Sequence, residues 1–143
     1  MQLDAIFPNL AADGHRVTSE STNKYNCIAW AIGITDQWLW PDDDARSTWP
    51  ADLPKEETID AFVSLFIRYG FDVCESVEME VGFEKIVLYT LQQIPQHAAR
   101  LLDSGRWTSK LGRYIDIEHS LRGLEGDFYG SATHFMKRPV KVA

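Results

Sequence analysis

The sequence predicts an α+β domain, with N-terminal helices packed on a C-terminal antiparallel sheet. Three observations carry this. Two stretches in the first half, Tyr25 to Gly33 and Pro54 to Gly70, have helical start and stop signals. From Phe71 onward the chain breaks into short strand-length segments separated by turn residues. Between two of those segments, Asp103-Ser104-Gly105 has the composition of a tight hairpin. At 143 residues, 45% hydrophobic and 24% charged, the chain is long enough for one domain with a core and too short for two.

Taken in order, residues 1–21 show no sustained period and contain Pro8 and Gly14, which predicts a loop-rich arm with His15 exposed. Residues 22–70 form the helical part. Ser21, Thr22, Asn23 and Asn26 are all candidate N-caps for a first helix that Gly33 stops, with Cys27 in its first turn. Three tryptophans, Trp38, Trp40 and Trp49, then share a span with Pro41, Pro50 and Pro54, which predicts a long ordered loop whose indoles pack on the body. Its Asp42-Asp43-Asp44 run reads as a solvated turn, since consecutive carboxylates point apart. From Pro54, Lys55-Glu56-Glu57 supply an acidic first turn, and Ile59, Phe62, Val63, Phe66 and Tyr69 repeat at helical spacing up to Gly70. Residues 71–139 hold the sheet: Phe71 to Val77, Phe83 to Leu91, Gln96 to Leu102, Arg106 to Leu111 and Ala132 to Lys137. Cys74 on the first of these is expected to be structural.

The formal charge of −7 argues against a nucleic-acid surface. No basic region or apolar stretch of signal length opens the chain, and no run is long enough to span a membrane, so the cytosol is the expected compartment, with a signal-less export route left open. A reducing compartment favours Cys27 and Cys74 as two free thiols.

Chemistry concentrates at Cys27 and His97. A thiol in the first turn of a helix feels the unpaired N–H groups and the positive dipole end, which favour the nucleophilic thiolate. The competing reading makes Cys27 one more small buried side chain. His97 opens a predicted strand directly after Pro95-Gln96, at a sheet edge, where a helix N-terminus packed on the sheet end brings an imidazole to the thiol. The competing reading there is a surface imidazole.

The order Asn26-Cys27-x-x-Trp30-Ala31, then His97-Ala98-Ala99-Arg100, then Trp107 to Gly112 is similar to the layout of papain-like peptidases of the NlpC type. More closely, the chain resembles a bacterial family of unknown function, marked by Tyr25 to Ala31, Trp38-x-Trp40-Pro41, Gly82-Phe83-Glu84-Lys85, Trp107 to Gly112, Asp116-Ile117-Glu118-His119 and Leu124-Glu125-Gly126. The peptidase resemblance implies a papain-like architecture and a thiol hydrolase: His97 takes the Cys27 proton, the thiolate attacks an amide carbonyl, and the Cys27 N–H with Asn26 holds the oxyanion. Trp30 and Trp107 are candidate substrate contacts. The substrate would be a peptide, a protein or a small amide, resolved by water as in a peptidase, amidase or glutamine deamidase, or by an amine as in a transglutaminase. The position where such enzymes carry the residue that orients the base falls at about Ser109. Asp116 is the better acceptor for an imidazole N–H, and Asp116→Ala is expected to leave the fold intact if Asp116 sits at a sheet edge. Neither nucleic acid, membrane, metal nor cofactor enters this scheme; a zinc set of His97, His119 and acids lacks ligand spacing. The alternative is a non-catalytic binding, immunity or effector module whose contact surface is the Trp38, Trp40 and Trp49 loop.

Overall fold

Every residue from Lys85 to Thr90 is buried, so the strand that holds them is covered on both faces. The computed structural model describes residues 2–140; Met1 and residues 141–143 of the predicted domain lie outside them. The chain runs α1 (Leu3–Ile6), α2 (Pro8–Asp13), β1 (His15–Ser19), α3 (Cys27–Ile32), β2 (Trp38–Leu39), β3 (Ser47–Thr48), α4 (Ile59–Arg68), β4 (Asp72–Cys74), β5 (Phe83–Leu91), β6 (Ile94–Leu101), β7 (Trp107–Lys110), β8 (Asp116–His119), a 3-10 turn (Leu121–Leu124) and β9 (Ser131–Pro139). Seven strands form one sheet in the order β1-β8-β7-β6-β5-β9-β4, antiparallel at every pair. The architecture is α+β.

Alternation along β5 divides the core in two. Ile86 and Leu88 pack with Ala98, α3 and α4 on one face; Val87 and Tyr89 pack with Ala99, Trp107 and Ile117 on the other. Leu3, Phe7 and Leu10 cover that second face. The segment expected to be a loop-rich arm is therefore two short helices and an edge strand, and His15 is half-buried rather than exposed. Helices of four and six residues are too short to display a period, and β1 (His-Arg-Val-Thr-Ser) carries the polar residues of an exposed edge.

The helix predicted from Pro54 begins at Ile59, because Thr58 in extended backbone accepts the Ala61 N–H at 3.2 Å and takes the cap. Phe62, Leu65 and Phe66 form its buried stripe. Trp40 and Trp49 lie 5.1 and 5.5 Å from Phe62, ring centre to ring centre, which anchors the Trp/Pro segment; within it β2 and β3 form a parallel pair. Asp43 pairs with Lys55 and Asp44 with Arg46 at the surface. Among the described residues no helix is long and apolar enough to cross a membrane.

Candidate active site

Asn26 is the cap of α3. Its Oδ1 accepts the Ala29 N–H at 3.2 Å and the Leu39 N–H at 3.1 Å, while its Nδ2 donates to Leu39 O at 2.7 Å. Gly33 ends the helix in the left-handed region at φ 98°. Both ends agree with the sequence reading; Asn26 spends Oδ1 on the helix start and β2 and one Nδ2 hydrogen on Leu39 O, and it lines the same groove as Cys27. Trp30 stacks on Tyr25 at 5.4 Å, lies under the Arg100 guanidinium and donates from Nε1 to Thr108 at 3.1 Å, all inside the fold. Trp107 is buried on the opposite face of the sheet.

Cys27 stands where the N-terminus of α3 meets β6. Burial pushes the Cys27 thiol up to about 11, against a smaller pull toward the thiolate from the backbone N–H groups of Ala98, Ile28 and Cys27 itself. The side chain is 7% exposed and lines a groove of about 410 Å³. Trp38, Trp40, Phe128 and Tyr129 give that groove aromatic walls, and Gln96 and Arg113 give it polar ones. Both cysteines are free.

His97 is wholly buried rather than at the surface. The register pairs it with Tyr89, which puts its side chain on the face away from α3, while Cys27 packs on the other face, in one cluster with Ala98. Its ring lies parallel to Tyr129 at 4.1 Å and 8°, and neither ring nitrogen has a hydrogen-bond partner among the described residues. Burial holds it neutral, well below the usual imidazole range. Tyr129 thus touches both halves of the candidate pair, as a wall of the Cys27 groove and as the platform for His97.

The candidates for the third member are engaged elsewhere. Asp116 accepts the Tyr25 hydroxyl at 2.7 Å and the Ser19 hydroxyl through Oδ2, and its Oδ1 has no partner among the described residues. It is not at a sheet edge, because β1 covers β8, and it shares the α3 face with Lys110. Ser109 bonds His119 Nε2 at 2.6 Å, and His119 Nδ1 donates to Ser120 O at 2.7 Å. Neither Asp116 nor Ser109 bonds His97; the stack on Tyr129 is what fixes the ring.

Gln96, Lys110, Arg113, Phe128 and Tyr129 are the residues that sequence reasoning passed over. Phe128-Tyr129 between Gly126 and Gly130 was the available signal: two large aromatics in a glycine-flanked turn must rest on something. Gln96 is reached only through a bulge, since the pairing steps from Tyr89–His97 to Thr90–Pro95 and leaves Gln96 unpaired.

A model of the domain of unknown function DUF7689 matches residues 16–137. The chain belongs to the DUF7689 family. No curated protein and no solved structure matches it. The DUF7689 match takes in β1 through most of β9, hence Cys27, His97, Asp116 and Tyr129 together.

The buried histidines of this DUF7689 chain are expected to weaken the fold as pH falls. Burial lowers His119 to about 4, below the unfolded value near 6.5. A depressed basic group contributes stability that is complete above the unfolded pKa and is lost as pH falls through the folded one. His119 alone then accounts for about 3 kcal/mol between pH 6.5 and 4, and His97 adds in the same direction. Urea midpoints measured across that window should fall, and His119→Gln should flatten the fall. Parallel curves for the two proteins would show that His119 is not the cause.

Proposed function

We propose that this chain is a papain-like thiol hydrolase or acyl transferase that attacks an amide carbonyl through Cys27. The observation that carries it is the Cys27 sulfur, at the start of α3 on an aromatic-walled groove, with Tyr129 both a wall of that groove and the platform for the His97 ring, whose nitrogens have no partner among the described residues. A buried polar group without a partner demands an explanation, and a base awaiting a proton is one.

The resting pair is neutral: a thiol near 11 and an imidazole held well below its usual range. This favours general-base chemistry over a stored thiolate–imidazolium pair. The Cys27 proton passes to His97 as the carbon–sulfur bond forms, the leaving amine takes that proton, and water or a second amine then cleaves the thioester. That transfer requires the His97 ring to leave its stack on Tyr129 and the sheet face away from α3.

The test is acyl transfer from p-nitrophenyl acetate, read by intact mass and peptide mapping. Acetyl should accumulate on Cys27 and not on Cys74, and His97→Asn should slow it about 100-fold, within the usual range for a lost general base. Acetylation of neither cysteine, or an unaffected His97→Asn, overturns the proposal. The second reading then leads: a binding module, favoured by Trp38, Trp40, Phe128 and Arg113 around the same groove.

A further inference from the structure

The Cys27 groove has a neighbour. Gly112, Arg113, Phe128 and Tyr129 line it, and the same four residues line a second cavity of about 440 Å³. The remaining wall of that cavity, Ile6, Phe7, Leu111 and Tyr114, carries no charge, so Arg113 is the one charged residue on it. Its volume falls within the roughly 300–1,000 Å³ of small-molecule sites. Phe128, on the wall common to both spaces, is 55% exposed, a large apolar ring left uncovered where they meet. Arg113 lies in the turn that joins β7 to β8, with its guanidinium 5.9 Å from the centre of the Trp38 ring. Among the described residues it has no carboxylate within ion-pair distance, and its side chain donates no hydrogen bond. The acids of the groove are engaged elsewhere: Asp44 holds Arg46 through both carboxylate oxygens at 3.2 and 3.3 Å, and Oδ1 of Asp42 accepts the Asp44 N–H at 3.2 Å. A guanidinium with its donors open receives a carboxylate through two parallel hydrogen bonds.

We propose that the second cavity receives the side chain of a large apolar amino acid, that Arg113 receives the free carboxylate of that amino acid, and that Cys27 attacks the acyl group on its nitrogen. The substrate class is an N-acylated apolar amino acid, the chemistry that the last residue of a peptide shares. In such a molecule one α-carbon bears the side chain, the carboxylate and the acylated nitrogen. The two spaces offer an apolar cavity, an open guanidinium and a thiol around the wall they share. A residue inside a peptide has an uncharged amide in place of the carboxylate and would leave Arg113 unused. The inference rests on the hydrolase reading and deepens it by naming what is cleaved. The carbon–nitrogen bond breaks as the acyl carbon joins the sulfur, and the amino acid leaves as its amine with the proton that His97 took from Cys27. Water then releases the acyl group as a carboxylic acid and restores the thiol.

The experiment is calorimetric titration of the full chain carrying Cys27→Ser, which removes turnover, with N-acetyl-L-phenylalanine, its carboxamide and N-acetylglycine. N-acetyl-L-phenylalanine should bind about tenfold tighter than its carboxamide, the effect of one charge-assisted contact. It should also bind tighter than N-acetylglycine, which has no side chain for the cavity. Arg113→Gln should bring the acid to the affinity of the carboxamide and leave the carboxamide's own affinity unchanged. Arg113 is exposed, so this substitution does not disturb the core, and a merely structural role would alter both ligands alike. Equal affinity for acid and carboxamide overturns the inference, as does an Arg113→Gln chain that still prefers the acid. N-acetylglycine binding as tightly as the phenylalanine compound, or no binding at millimolar concentration, overturns it too. Alanyl-alanyl-phenylalanine separates the two sources of this chemistry: tighter binding than the N-acetyl compound marks a peptide end, and equal binding marks a small N-acyl amino acid. Failure of the hydrolase reading appears separately, as absent acetylation of the wild-type chain by the ester, with these titrations still readable.

Discussion

Gly130→Ala is expected to lose about 3–5 kcal/mol of stability, from overpacking together with a left-handed backbone. Gly130 has φ 79°, and a Cβ there would lie 1.9 Å from Thr90 O and 2.5 Å from Thr90 C. Backbone atoms of an interior strand cannot step aside as a flexible side chain does. The Gly126–Gly130 turn, closed by N–H···O bonds of 2.8 and 2.9 Å, would open instead, and it carries Phe128 and Tyr129. Urea unfolding should show the loss directly. A variant within 1 kcal/mol of wild type would mean that the close packing of this turn on β5 does not persist in solution.

Asp116→Ala should cost about 2–4 kcal/mol, for it strips partners from buried groups. Tyr25, 8% exposed, loses the acceptor for its hydroxyl, Ser19 loses its own, and Lys110 loses the carboxylate opposite it. Asp116→Asn, which keeps one oxygen, should recover part of the loss. The expectation that Asp116→Ala leaves the fold intact assumed a sheet edge, and β1 occupies that edge. Chemical denaturation of both variants checks this: an Asp116→Ala protein as stable as wild type would mean that the Tyr25 and Ser19 contacts contribute nothing.

These two residues mark what was legible in the sequence. A cap depends on neighbours in the chain, so Cys27 and Gly33 could be placed at a helix start and stop from local chemistry, with Asn26 one of four candidate caps. The same holds for the Asp103-Ser104-Gly105 hairpin, which the structure closes with Leu102 N–H to Arg106 O at 2.7 Å. For the strands, length and bounding turns were readable, but which side chains share a face was not. His97 and Asp116 lie on opposite faces because of register, and register is fixed by partners far along the chain.

By itself the sequence determined the α+β composition, the α3 start that presents Cys27, and the strand that carries His97, since each is set by contacts within about ten residues of the chain. Tertiary structure alone decided the rest. It covered the second sheet face with the N-terminal arm, gave Asp116 to Tyr25 and Ser19, stacked His97 on Tyr129, and buried Lys110 beneath the helix. Each of those joins residues more than 30 positions apart, except the Lys110 amine's bond to Gly112. Burial is a property of the assembled sheet, and burial is what holds the thiol near 11 and the imidazole neutral.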